Sequence, residues 1–134
     1  MKQGRDFLRY AYFLQDLDDA VVDAVAELCG STTYRAGEFI FREGNDGDTL
    51  FIVLSGEIQV WKHHGREDAN LLSRYQTGRI FGEMALVDEL PRSATAVAAR
   101  DSELLFLRRS DFSGLVRRYP ELALSIMKSL SAIV

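Results

Sequence analysis

Thr49-Leu50-Phe51-Ile52-Val53-Leu54-Ser55-Gly56-Glu57-Ile58-Gln59-Val60-Trp61-Lys62 sets the class of fold. Two β-branched and aromatic runs, Thr49–Leu54 and Ile58–Lys62, flank a Ser55-Gly56 turn. Such runs suit the pleated surface of a sheet, and glycine suits the turn. Working outward, the pattern repeats at Phe39–Phe41, Asn70–Tyr75, Ser93–Ala99 and Glu103–Leu107. Gly44, Gly56, Gly65 and Gly78 recur every 9 to 13 residues, the rhythm of an all-β barrel or sandwich. Only Gly82 to Val87 breaks it, and Pro91 closes the turn that follows.

Both ends of the chain read as helices. Asp16 or Asp18 can cap a helix whose face is Val21, Val22, Val25 and Leu28, with Gly30 as its left-handed stop. An earlier helical piece is expected around Phe7, Leu8, Tyr12 and Leu14. At the other end Ser110-Asp111 opens a helix carrying Phe112, Leu115 and Val116. Tyr119-Pro120 interrupts it. Leu122, Ile126, Leu130 and Ile133 then form a second face that must cover the barrel, a ligand or another chain.

The 134 residues, 47% hydrophobic and 27% charged, suffice for one domain with its own core. The expected division is helical 1–30, strands 31–108 and helices 110–134. One cysteine, Cys29, excludes an internal disulfide and a cysteine-built zinc or iron–sulfur site, and suggests a reducing, cytoplasmic setting. A net charge of -4 disfavours general nucleic-acid binding, which needs clustered Lys and Arg. No apolar signal core follows Met1 to Asp6, and the longest apolar stretch, Leu50 to Leu54, is too short to span a bilayer. The expectation is therefore a chain without membrane contact.

The chemistry gathers in Phe81-Gly82-Glu83-Met84-Ala85-Leu86-Val87-Asp88-Glu89-Leu90-Pro91-Arg92-Ser93-Ala94-Thr95. It reads as a strand end, a glycine, then one short helical turn. Gly82 lets a ligand approach the backbone. The amides of Glu83, Met84 and Ala85 at the start of the turn favour an anion. The planar guanidinium of Arg92 can grip two phosphate oxygens, and Ser93 adds a hydroxyl. Glu83 would repel a phosphate but suits a hydroxyl donor such as a ribose 2′-OH. A phosphate and a ribose hydroxyl on one short segment point to a compact nucleotide.

This segment resembles the phosphate-binding cassette of the cyclic nucleotide-binding domain family. That family includes catabolite activators, cAMP- and cGMP-dependent kinases and cyclic-nucleotide-gated channels. Its pattern, Phe-Gly-Glu-(apolar)-Ala-Leu and then Arg-(small)-Ala, matches residues 81–86 and 92–94. Gly37, Phe41, Gly44, Asp46, Leu50, Ile52, Gly56 and Val60 match its upstream strands and turns. The resemblance implies a mainly β fold: an eight-stranded β-roll of the jelly-roll (double-stranded β-helix) type, with N- and C-terminal α-helices. It implies a non-enzymatic sensor in which Arg92 binds the cyclic phosphate and Glu83 the ribose 2′-OH. The amides of Gly82 to Ala85 complete the cradle, and Ser93 leaves cAMP or cGMP open, with cAMP favoured. It also implies that movement of the C-terminal helices signals occupancy, and it allows a homodimer or an effector domain on the last helix. Many members shield the base with an aromatic or arginine side chain. Neither stands after Pro120, so the cap is either an aliphatic residue such as Ile133 or absent. No segment matches the helix-turn-helix of the transcription factors or the gating helices of the channels.

Each residue also has an ordinary reading. A glutamate at a helix start compensates the dipole, and an arginine after proline is a solvated cation. Their spacing inside the matched cassette is what favours a ligand. His63-His64 reads as an exposed hairpin tip, and Cys29, Trp61 and Tyr75 as packing residues. The competing function is a ligand-silent roll used for dimerisation or protein docking. A cupin-type metalloenzyme needs several histidines, and this chain has 2, adjacent to each other.

Overall fold

The computed structural model describes Leu14, residues 16–86 and residues 90–132, with residues 128–132 as helical backbone only. Helix α1 (Asp19–Leu28) leads into eight strands: β1 (Gly30–Tyr34), β2 (Phe39–Phe41), β3 (Thr49–Ser55), β4 (Ile58–Lys62), β5 (Asn70–Tyr75), β6 (Ile80–Phe81), β7 (Thr95–Ala98) and β8 (Ser102–Arg108). A single 3₁₀ turn (Glu83–Leu86) separates β6 from β7. Helices α2 (Arg109–Arg118) and α3 (Glu121–Ala132) close the chain.

The strands form two antiparallel four-stranded sheets, ordered β1-β8-β3-β6 and β2-β7-β4-β5. Among the described strands only β4 and β5 are both sequence neighbours and sheet partners. The chain otherwise crosses between sheets, which is the jelly-roll route. The apolar run in β3 is buried on both sides because side chains alternate along a strand. Phe51 and Val53 join Ile58, Phe81, Ala96, Ala98 and Leu104 between the sheets. Leu50 and Ile52 point the other way, to Val21, Val22, Val25, Phe112, Leu115 and Leu122 of the helices. Each of the Val, Leu, Ile and Phe side chains among them contributes about 1.5–3 kcal/mol on leaving water.

Several expectations shift. Gly30 is not a helix stop. Cys29 caps α1 in extended conformation (φ -74°, ψ 135°), and Gly30 starts β1 with the Phe106 ring against its Cα. Asp18 holds the N-cap position of α1, but its carbonyl, not its side chain, accepts the Val21 and Val22 amides. Helix α2 starts at Arg109 rather than Ser110, with Asp111 in its first turn. Strands β1 and β6 had no run of their own in the sequence reading. Strand β7 is shorter than Ser93–Ala99 and β8 longer than Glu103–Leu107. The break at Tyr119-Pro120 stands where expected. Leu122 and Ile126 are buried. The Leu130 side chain, Ile133, and the expected early helix apart from Leu14 lie outside the described residues. No described helix is long and apolar enough to cross a membrane.

Candidate functional site

Gly82, Glu83, Met84, Ala85, Arg92 and Ser93 line one cavity of about 390 Å³. That volume is at the small end of ordinary ligand sites. Strand β6 ends at Phe81, Gly82 turns the chain with φ 74°, and the 3₁₀ turn follows. Strands β4 and β5 supply the opposite, largely apolar wall through Val60, Leu72 and Tyr75. Phe81 anchors the floor, stacked on Phe51 at 5.2 Å and 5.6 Å from the Tyr75 ring.

Arg92 enters from the segment before β7. Its Nη1 donates to Gly82 O (3.1 Å) and its Nη2 to Thr49 O (2.7 Å). The guanidinium lies over the Phe41 ring, 4.1 Å from its centroid. This is a cation–π seat that partly replaces lost water. A guanidinium has five N–H donors. The Nε donor is buried without a partner among the described residues. Burial pulls the Arg92 pKa down, while Asp48 and Glu83 push it back up and Arg109 adds to the fall. Arg92 stays charged. Its main chain is held too: Arg92 N donates to Asn45 O and Gly44 N donates to Arg92 O, both at 2.8 Å.

Glu83 is half-buried at the cavity edge. Burial raises its carboxyl above the usual range, and its own amide and Arg92 only partly offset this. The turn amides are not all open as expected, because Ala85 N donates to Gly82 O at 3.2 Å. Met84 and Ser93 are exposed at the cavity rim.

Sequence reasoning missed the supports. Gly47, read only as part of a turn, leaves the space that Arg92 Nε and Cζ occupy. Thr49 acts through its carbonyl and therefore leaves no side-chain signature. Arg109 also joins the site from α2. Its Nε donates to Ala85 O (2.6 Å), its Nη2 to Gly47 O (3.2 Å), and its amide to Asp48 O (2.7 Å).

Of the other singled-out residues, Tyr75 stands in the cavity wall, while Cys29, Trp61 and the two histidines lie away from it. His63 (φ 56°) pairs with Asp68 at 2.8 Å, and the His64 ring packs edge-on against Phe39 and Trp61. Among the described residues no three His, Cys, Asp or Glu side chains form a metal-binding group. Burial, aided by Asp111, pushes the Cys29 thiol up to about 12, and Cys29 packs on the helical core.

A jelly roll with a cationic, glycine-lined cassette opening into a cavity defines a small-anion-binding domain. Residues 31–119 match the cyclic nucleotide-binding domain, and the chain belongs to that family. It is 42% identical over 90 residues to the cyclic AMP receptor protein of Thermus thermophilus, covering 67% of this chain and 42% of that protein. It is 32% identical over 123 residues to human cGMP-dependent protein kinase 2, covering 90% of this chain and 16% of the kinase. The chain thus spans less than half the length of these curated relatives. The crystal structure of Thermus thermophilus catabolite activator protein superposes with TM-score 0.83 at 34% identity, covering 91% of this chain and 57% of that one. The regulatory domain of Toxoplasma gondii PKA, crystallised with cAMP, superposes with TM-score 0.83 at 27% identity, covering 97% and 49%. The fold is that of a cyclic nucleotide-binding β-roll.

Proposed function

We propose that residues 1–134 act as one regulatory domain that binds cAMP, performs no chemistry of its own, and reports occupancy through α2 and α3. Arg92 holds the cyclic phosphate, Glu83 accepts the ribose 2′-OH, and the backbone from Gly82 to Ala85 lies against the phosphate. Ser93 contributes its hydroxyl, and the base lies along the apolar wall of Val60 and Leu72. The observation that carries this reading is the Arg92 guanidinium: charged, half-buried beside the cavity, seated on Phe41, with Nε lacking a partner among the described residues. A phosphate offsets the burial cost that lowers its pKa. Arg109 links the cassette at Ala85 O to the first residue of α2, so a shifted cassette has a path to the helices. Occupancy signals only if the nucleotide binds one helix arrangement better than the other. A reducing, cytoplasmic setting suits the single, partly buried Cys29 thiol.

Calorimetry with cAMP tests this. Arg92→Ala is expected to weaken binding by roughly ten- to a hundredfold, the worth of one charge-assisted bond. Arg92→Lys, which loses the planar fork, is expected to weaken it too. Unchanged affinity in the alanine variant overturns the assignment, and a parallel titration with cGMP sets the base preference. One observation favours the ligand-silent alternative: both Nη groups of Arg92 already donate to main-chain carbonyls. A wild-type chain that binds neither nucleotide would decide for it.

A further inference from the structure

Where the β4–β7 ladder ends, a side chain continues it. Backbone pairing runs from Ile58↔Ala98 to Trp61↔Thr95, and the Ser93 carbonyl lies beyond that last rung. Lys62 Nζ donates to this carbonyl at 2.7 Å and stands 3.1 Å from Glu43 Oε2. Glu43 is itself fastened. Its Oε1 accepts the His63 amide at 3.1 Å, and its own amide donates to Thr95 Oγ1 at 2.9 Å. The residues after Glu43 grip Arg92, through Gly44 N to Arg92 O and Arg92 N to Asn45 O. Lys62 thus closes a circuit: β4 to Ser93, Ser93 to Arg92, Arg92 to the loop at 43–45, and Glu43 back to Lys62.

We propose that Lys62 is a positioning residue for the nucleotide site. Held by Glu43, its ammonium fixes the Arg92–Ser93 main chain so that the guanidinium and the Ser93 hydroxyl meet the ligand in register. This rests on Arg92 being the phosphate-holding residue. A binding group must be held within about half an ångström by hydrogen bonds behind it. Ser93 is exposed, and no rung of the sheet holds its carbonyl. The clamp therefore serves local geometry more than stability. Its two side chains are 40% and 32% exposed, and ion pairs so placed add little to folding. Glu43 also cancels the Lys62 charge, so simple attraction of an anion is not its role.

The test joins backbone hydrogen exchange to calorimetry on the whole chain. Lys62→Met is expected to speed exchange at the Gly44 and Arg92 amides while leaving the melting temperature nearly unchanged. It is expected to weaken cAMP binding about three- to tenfold, the range for one lost hydrogen bond. Lys62→Arg restores most of the affinity. Combined with Arg92→Ala, Lys62→Met costs clearly less than it does alone, because most of its effect runs through Arg92. An undiminished loss in that background overturns the proposal and makes Lys62 an independent contact. If the wild-type chain binds no cyclic nucleotide, the functional reading fails, and exchange alone judges the clamp: faster exchange supports it and unchanged exchange overturns it.

Discussion

Arg92 occupies space that two glycines leave open. A Cβ on Gly82 would stand 2.9 Å from Nη1 and 3.3 Å from Thr49 O, and one on Gly47 would run into Nε and Cζ. Gly82 also carries φ 74°, which strains any residue with a Cβ. Beside it, Glu83 is a carboxylate whose charge burial penalises. Its folded carboxyl titrates above the ordinary 4.5, so the folded chain holds this proton more tightly than the unfolded chain. The burial penalty is absent below the ordinary value and fully present above the raised one. Glu83→Gln is therefore expected to raise the melting temperature of the ligand-free chain at about pH 7 and to leave it unchanged below about pH 4. Melts across that range check this, and an equal gain at both ends would remove burial as the cause. The same variant is expected to bind cAMP more weakly but a 2′-deoxy analogue equally well. Equal losses for both ligands would take Glu83 off the ribose.

Among the elements, β3 and β8 do double duty. Leu50, Ile52, Leu105 and Leu107 face the helices, while Phe51, Val53 and Leu104 face the second sheet. Strand β3 was readable as a strand from its run of β-branched and aromatic residues, but its burial on both faces comes from the helices packing behind it. Strand β1, Gly30-Ser31-Thr32-Thr33-Tyr34, was not readable from composition, since it is held by its register against Ser102 to Phe106. The two-residue β6 is held the same way against Phe51 and Ile52. The 3₁₀ turn was legible from Gly82 onward, but its tie to α2 was not. Arg109 makes that tie through two half-buried, charge-assisted bonds to Ala85 O and Gly47 O. Arg109→Ala is expected to cost about 2 kcal/mol in urea unfolding, because the two carbonyls lose a charged donor. A loss below about 0.5 kcal/mol would mean that other contacts hold the turn.

For the molecule as a whole, ligand binding and folding are linked. A nucleotide present at 100 times its dissociation constant adds about 2.7 kcal/mol, or roughly 10 °C in a domain of this size. Thermal melts with cAMP and with cGMP are expected to show such a rise for the preferred nucleotide. No rise with either leaves a ligand-silent roll. The sequence alone determined the sheet-rich middle, the helical ends and the chemistry of the cassette. These rest on local periods, turn residues and side-chain types, which the chain carries wherever it folds. Tertiary structure alone decided the convergence. Thr49 O, 43 positions away, receives Arg92, Gly47 makes room for it, Phe41 lies beneath it, and Lys62 holds the carbonyl that follows. Main-chain acceptors and empty space have no residue type of their own, so only the packed sheets bring them into view.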